Sequence, residues 1–474
     1  MARTFAVLVL TALAVLLAGC GGSENTAATG AAEVAGIVPA DVPVLLAFET
    51  DPESEQWRQA EQLLGRFPGK DKLFDELSRE LSDEGISVEA DLLPALGDDT
   101  YLAFLDLDEG DDVVVITKPR DPQKLEQLLE EADEPSVTRV VDGWTLVAES
   151  EGVLDRFGAE GDRLDGSEWF EAAQGRLEDD ALVTLYANGP ALQQASAPEG
   201  CETPEPAGEL EFAVGTLVAQ DDGLRMLFEA AGEGAADLVG DETLLAHVPA
   251  RALAYLGGPS FDAAGFGLSG QLRCALDDAG APDVERVLGV PYDDIVDLFA
   301  GGFAFYTGPG LLIPELTLVL EPEDEARALA TLDELAGTAS GFFGETGKRR
   351  VGEIDARELQ VGPVTILYGG GDGRVVVTTA PDGFDALRDD GDSLEDDERF
   401  RDTRDGAGVG DDAQINAYLD LQGLIELLGT VSAFSDEGVP PEVQANLEPL
   451  ESLIVWGDVS DPDEPELGLF LGIR

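Results

Sequence analysis

The chain has one histidine, three cysteines, two methionines and only 28 lysines and arginines among 474 residues. A single histidine excludes multi-histidine metal centres and forces any serine or cysteine triad to use His247. The shortage of cations, set against 98 aspartates and glutamates, gives a formal charge of 28 − 98 = −70. That charge removes the electrostatic basis for holding nucleic-acid phosphates or anionic lipid headgroups, so no nucleic-acid partner is expected. No G-x-S-x-G, H-E-x-x-H or S-x-x-K pattern occurs, so the readily recognised hydrolase signatures are missing. The hydrophobic share of 44% is ordinary for a folded protein, so the acidity does not signify disorder.

The amino terminus reads as an export signal. Arg3 precedes an apolar run from Phe5 to Leu17, which ends in Leu17-Ala18-Gly19-Cys20. The run has the length of a signal-peptide core and is too short to span a bilayer. Small residues before a cysteine at this distance resemble the lipobox of bacterial lipoproteins, whose cysteine is lipidated and becomes the first mature residue. Residues 1–19 are therefore expected to be a lipoprotein signal peptide and Cys20 the lipidated residue, with the lipid as the membrane contact. Residues 20–36, rich in Gly, Ala, Ser and Thr, are expected to be a flexible tether. The product is then an outward-facing protein anchored to the cell membrane.

An internal repeat organises the remainder. Val38-Pro39-Ala40 recurs as Val248-Pro249-Ala250, and Asp91-Leu92-Leu93 as Asp294-Ile295-Val296. The apolar run Val113–Thr117 with Pro119 corresponds to Leu316–Leu320 with Pro322. Each run leads into an amphipathic helix, lined by Leu125, Leu128, Leu129 and Ala132 in one copy and by Ala328, Leu329, Leu332 and Leu335 in the other. Gly161-Asp162-Arg163-Leu164 with Phe170 matches Gly391-Asp392-Ser393-Leu394 with Phe400, and Asp179-Asp180-Ala181 with Tyr186 matches Asp411-Asp412-Ala413 with Tyr418. Preserved order over these blocks predicts two tandem homologous domains, 37–232 and 243–474, joined by a linker over 233–242.

Several neighbouring strands have connections too short for a parallel crossover. Tyr101–Leu105 with Val113–Ile116 and Val364–Tyr368 with Val375–Thr379 read as hairpins, as do the runs that end each copy. The expected fold class is α+β, each repeat being a mainly antiparallel sheet with helices packed on one face. Lipobox, tether and two units opening with Val-Pro-Ala and carrying the Gly-Asp-x-Leu…Phe block together resemble a bacterial envelope family catalogued as domain of unknown function 3352. That resemblance implies an envelope setting and supplies no activity, cofactor or catalytic residue.

Candidate chemistry is sparse. His247 precedes the second Val-Pro-Ala block, opposite Ile37 of the first copy, and reads as structural. Cys201 and Cys274 either form a disulfide in an oxidising exterior or stand as free thiols; spacing leaves both open. The run Gly369-Gly370-Gly371-Asp372-Gly373 lacks the Lys-Ser/Thr of a phosphate loop and reads as a hairpin turn. Acidic runs such as Asp389-Asp390-Gly391-Asp392 with Glu395-Asp396-Asp397-Glu398 do not fit a calcium-loop register; weak divalent cation binding is the most they imply, and no dedicated metal site or cofactor is expected. The second copy carries an insertion within 337–372 with Phe342-Phe343 and the basic run Lys348-Arg349-Arg350, the candidate contact for an envelope protein partner.

The expected role is a non-enzymatic binding or scaffolding module of the cell envelope. The alternatives are the solute-binding receptor of an import system and an envelope hydrolase using carboxylates or a metal. Arginine preference over lysine and extreme acidity point to a GC-rich genome and a saline exterior, where counterions screen self-repulsion.

Overall fold

The computed structural model describes residues 27–474 apart from 73–78, 80–85, 108–111, 132–135, 158–160, 179, 197–208, 233–243, 259–288, 311–313, 389–390, 411–412, 433–438 and 460–464. Among the described residues, eighteen strands form one antiparallel sheet. The first half supplies β1 (Val44–Glu49), β2 (Asp99–Phe104), β3 (Val113–Thr117), β4 (Val137–Val141), β5 (Trp144–Ala148), β6 (Val183–Asn188), β7 (Leu210–Gln220) and β8 (Gly223–Gly232). The second supplies β9 (Ala254–Gly258), β10 (Phe303–Gly308), β11 (Glu315–Leu320), β12 (Thr346–Val351), β13 (Ile354–Val361), β14 (Val364–Gly371), β15 (Arg374–Thr378), β16 (Gln414–Asp420), β17 (Leu450–Asp458) and β18 (Glu466–Ile473). The principal helices are α1 (Ala27–Ala35), α2 (Glu55–Leu64), α3 (Pro122–Glu131), α4 (Glu168–Gln174), α5 (Glu325–Phe343), α6 (Glu398–Ala407) and α7 (Leu421–Ser432).

Pairing runs β4-β5-β3-β2-β1-β6-β7-β8 through the first half. It crosses from β8 to β18 and continues β17-β16-β9-β10-β11-β15-β14-β13-β12. The order mirrors itself about the β8–β18 junction, so β1, β2, β3, β6, β7 and β8 occupy the places of β9, β10, β11, β16, β17 and β18. The extra elements of the second half are the longer α5 and the hairpin β12–β13, which moves the sheet edge outward from β14.

The expected packing of helices on one face is corrected by the core. Alternate strand residues enter two separate layers, as a pleated strand requires. Leu45, Tyr101, Val114, Ile116 and Leu146 are buried on one face with Val34 and Ala35 of α1 and Phe170 and Ala173 of α4. Phe48, Leu102, Val115 and Val147 are buried on the other with Trp57, Ala60 and Leu63 of α2 and Leu125 and Leu128 of α3. The physical reason is visible in β3, Val-Val-Val-Ile-Thr, whose five residues are all buried: a continuous apolar run needs cover on both sides. The second half repeats this, with Tyr255, Tyr306, Phe400, Tyr418 and Trp456 on the first face and Leu320, Ala328 and Val375 on the second.

The stretch read as a tether to residue 36 also differs. Ala27–Ala35 is helical, and Val34 and Ala35 are fully buried, so the packed body begins before Ile37. Alanine favours helix, and the valine gives α1 an apolar end to bury. The glycine-rich hairpin is as expected, with the turn at Asp372-Gly373, both at positive φ, while Gly369–Gly371 extend β14. Among the described residues no helix is long and apolar enough to cross a membrane.

Candidate functional site

The sequence blocks that recur meet each other in space. In the first half the Leu164 amide donates to the Val38 carbonyl at 3.0 Å and the Ala40 amide to the Asp162 carbonyl at 3.1 Å. In the second, Leu394 donates to Val248 at 2.7 Å and Ala250 to Asp392 at 3.1 Å. The Val-Pro-Ala and Gly-Asp-x-Leu segments thus clasp one another, and proline at the bridge position leaves its lone carbonyl to the turn. The phenylalanine following each clasp stands edge-on to the tyrosine of the next block, Phe170 to Tyr186 at 5.0 Å and Phe400 to Tyr418 at 5.1 Å between ring centroids. A capping side chain fixes each helix start: Ser167 accepts from the Phe170 amide and Asp397 from the Phe400 amide. These joints are structural.

One constellation in the first half has chemical character. Glu49 and Asp99 face each other directly across β1 and β2, 7% and 8% exposed. Desolvation pushes the Glu49 carboxyl up to about 8, opposed by the Asp51 amide that donates to its Oε1 at 2.9 Å, with Asp99, Asp51 and Asp98 adding to the rise. Desolvation likewise lifts Asp99 to about 6, with Asp98 and Asp51 raising it further and Lys118 and Arg120 opposing. Arg120 engages the outer carboxylates instead, 2.8 Å from Asp98 and 3.5 Å from Asp51. Lys118 pairs with Glu33 of α1 and lies 4.2 Å from the centroid of the Trp144 ring. At neutral pH the buried pair therefore keeps a proton on Glu49, an arrangement able to donate and accept protons. At the corresponding positions the second half has Pro259 and Gly302.

A second constellation is apolar. Met226, Leu469, Val455, Ala417, Leu256, Phe305 and Leu318 lie directly opposite one another in register across β8, β18, β17, β16, β9, β10 and β11. Residues in register share a face, so these seven side chains form one row. Val183 and Leu217 extend it at one end and Val377 at the other. The ends pack beneath helices, Val183 in the layer under α2 and Val377 in the layer under α5. Leu318 joins the layer under α5, and among the described residues the side chains between are partly open: Leu256 is 51% exposed, Phe305 38%, Leu316 40%, Phe228 36% and Leu467 38%, all on this face.

The residues singled out from sequence are not gathered into one place. Cys20, Cys201, Cys274 and the linker 233–242 lie outside the described residues. Phe342 and Phe343 end α5, and Lys348, Arg349 and Arg350 are exposed on β12, the outermost strand. Three consecutive cations there blunt an edge against unintended strand pairing. Of the acidic run, Asp396 closes a capping box with Ser393 and Asp397 caps α6, so both serve helix starts. His247 accepts from the Arg374 guanidinium at 2.7 Å, and Arg374, 6% exposed, also donates to the Ala386 carbonyl. A buried arginine needs such acceptors. The carboxylate pair and the apolar row were missed; the polar end of an otherwise apolar strand, Phe48-Glu49, was the available signal for the first.

Residues 2–142 match a family model described as a protein of unknown function (DUF3352). No curated protein matches. Solved structures of TP0453 show likeness: crystal form IV with 10% identity over 43% of this chain and 83% of that one at a TM-score of 0.22, and crystal form III with 11% identity over 41% and 78% at 0.22. Over its first third the chain is thus similar to an uncharacterised domain family.

Proposed function

We propose that the protein is an exported, lipid-anchored envelope protein built from two homologous α+β repeats, 37–232 and 243–474, and that it works as a non-enzymatic scaffold. The observation that carries this is the β8–β18 seam, in which Glu229 to Gly223 pair with Glu466 to Gly472 and make both halves one sheet. A solute receptor of an import system needs two lobes that close over a cleft. Here a continuous ladder lies where that cleft would be, and a rigid platform suits holding other proteins. The mirrored strand order and the twin clasps support the repeat reading, because unrelated domains have no reason to share them. The Leu17-Ala18-Gly19-Cys20 motif supports the lipid anchor. Metabolic labelling with a palmitate analogue tests the anchor: label on the wild type and none on Cys20→Ser supports it, and equal label on both overturns it. Crosslinking in the native cells tests the scaffold, which requires recovered protein partners.

The Glu49–Asp99 pair favours a second reading, an envelope hydrolase using carboxylates. Glu49→Gln distinguishes the two. Loss of a measured hydrolysis in the folded variant supports the enzyme; partner recovery unchanged by it supports the scaffold.

A further inference from the structure

We propose that the outer edge of β12 is a strand-addition site for an extended acidic segment of another protein. This names a partner contact for the scaffold reading and rests on it. Among the described residues β12 pairs with β13 alone. The Gln360 amide donates to the Glu345 carbonyl at 3.1 Å, which makes theirs a hydrogen-bonded pair and fixes the alternation along the hairpin. Gly347, Arg349 and Val351 then bond to β13, while Thr346, Lys348 and Arg350 direct N–H and C=O outward. The side chains of these three outward residues are exposed. Core packing does not account for the strand: none of its six residues is buried, whereas β13 beside it buries Ala356 and Leu359.

The charges along this edge indicate what fits. Lys348 and Arg349 make no ion pair among the described residues, and Arg350 comes only within 4.0 Å of Asp355, the two side chains being 70% and 88% exposed. The opposite edge of the sheet differs: Arg139 of β4 meets Glu151 at 2.6 Å and Asp155 at 2.8 Å. Residues in register share a face, so Lys348 and Arg350 stand with Arg357 and Asp355 on one side of the sheet and Arg349 stands with Ala356 on the other. The first side is that of α5, because Arg357 meets Asp333 of that helix at 2.7 Å. An added strand alternates in the same way, so consecutive carboxylates on it meet all three cations, two on one face and one on the other. Ladder bonds hold such a strand to the edge, and the charge pairs select its sequence. The same cations turn away basic or apolar strands, which bring them no opposite charge. A nucleic acid can meet the cations but has no alternating N–H and C=O for the outward backbone groups, which favours a polypeptide.

The test uses the full chain and a ten-residue peptide of valine and threonine around three consecutive glutamates, with a second peptide carrying lysine for glutamate. Two further forms of the glutamate peptide are N-methylated, each on one set of alternate residues. Expected is binding of the glutamate peptide and at least tenfold weaker binding of the lysine peptide. One N-methylated form should bind at least tenfold weaker and the other like the parent peptide, because only one set of amides faces β12. Lys348→Glu with Arg350→Glu weakens the glutamate peptide at least tenfold; should that variant not fold, the N-methylated pair decides in the parent chain. A photo-crosslinking phenylalanine at position 346 should label the peptide, and one at the exposed Val140 of β4 should not. Crosslinks from 346 within the chain or to a second copy, equal labelling at 140, equal binding of the two N-methylated forms, or unchanged binding by the folded double variant overturn the inference. Tighter binding of a ten-nucleotide oligothymidylate than of the glutamate peptide overturns it as well. Partners recovered in cells equally by the wild type and the folded double variant overturn the site and leave the scaffold standing; no partners from either would remove the scaffold itself.

Discussion

Lys124 Nζ lies 2.7 Å from Asp91 Oδ1, and 203 residues further along both chain segments Arg327 NH2 lies 2.6 Å from Asp294 Oδ1. Each pair ties the first turn of an amphipathic helix to the short helical segment, Val88–Leu92 or Tyr292–Val296, that comes before the preceding hairpin. The hydrogen bond to Lys124 holds Asp91 below the usual carboxylate range, with the Ser87 amide assisting. Arg327 also meets Asp297 at 2.8 Å. These are surface pairs, in which solvent screening and side-chain entropy offset most of the Coulomb attraction. Lys124→Met and Arg327→Met should each lower stability only slightly, and the loss should vanish in molar NaCl, as chemical denaturation at two salt concentrations will show.

Stability should fall as pH rises through the range set by Glu49 and Asp99. Both carboxyls have folded values above their ordinary 4.5 and 3.8, reaching about 8 and about 6, so the folded chain binds more protons than the unfolded one across that interval. Folding is then favoured on the acidic side and weakened on ionisation. Glu49→Gln removes one titration. Its melting temperature should exceed the parent's by a few degrees at pH 8 to 9 and match it near pH 4; a variant less stable at pH 9 would contradict the burial argument.

The edge-on aromatic pairs anchor the clasp in both halves. Phe170 and Phe400 are 3% and 1% exposed, so truncation to alanine should cost about 3–5 kcal/mol at either position. Urea unfolding of Phe170→Ala and Phe400→Ala should give similar losses, a consequence of equivalent environments.

Gly468 sits opposite Trp456, whose indole occupies the space a Cβ would need. Gly468→Ala should destabilise by about 1–3 kcal/mol through overpacking. Because β18 also pairs with β8, the damage reaches the seam, and calorimetry should show both halves melting in one transition at lower temperature. Separation into two transitions would mean that the seam does not couple them.

A body at −70 repels itself at low ionic strength. The melting temperature should rise as NaCl goes from low to molar concentration, and a flat or falling value would remove the saline interpretation of the charge.

Much of the fold was legible where the signal is local. The hairpins β2–β3, β7–β8 and β14–β15 follow from alternating or apolar runs separated by short polar turns, and α3 and α5 from helical spacing of leucines. Two-sided cover was implicit in β3 but was outweighed by the hairpin evidence for an open face. α1 was misread because alanine and glycine composition suits a tether unless a sheet offers Val34 and Ala35 a place to bury.

The amino-acid order alone determines the hairpins and the amphipathic helices, because turn residues and periodicity act over a few residues. Tertiary structure decided the rest. Glu49 meets Asp99 only once β1 pairs with β2, and the seven-residue apolar row exists only once strands from both halves come into register. Register across distant strands is a property of the assembled sheet, set by burial on two faces at once, and no window of sequence contains it.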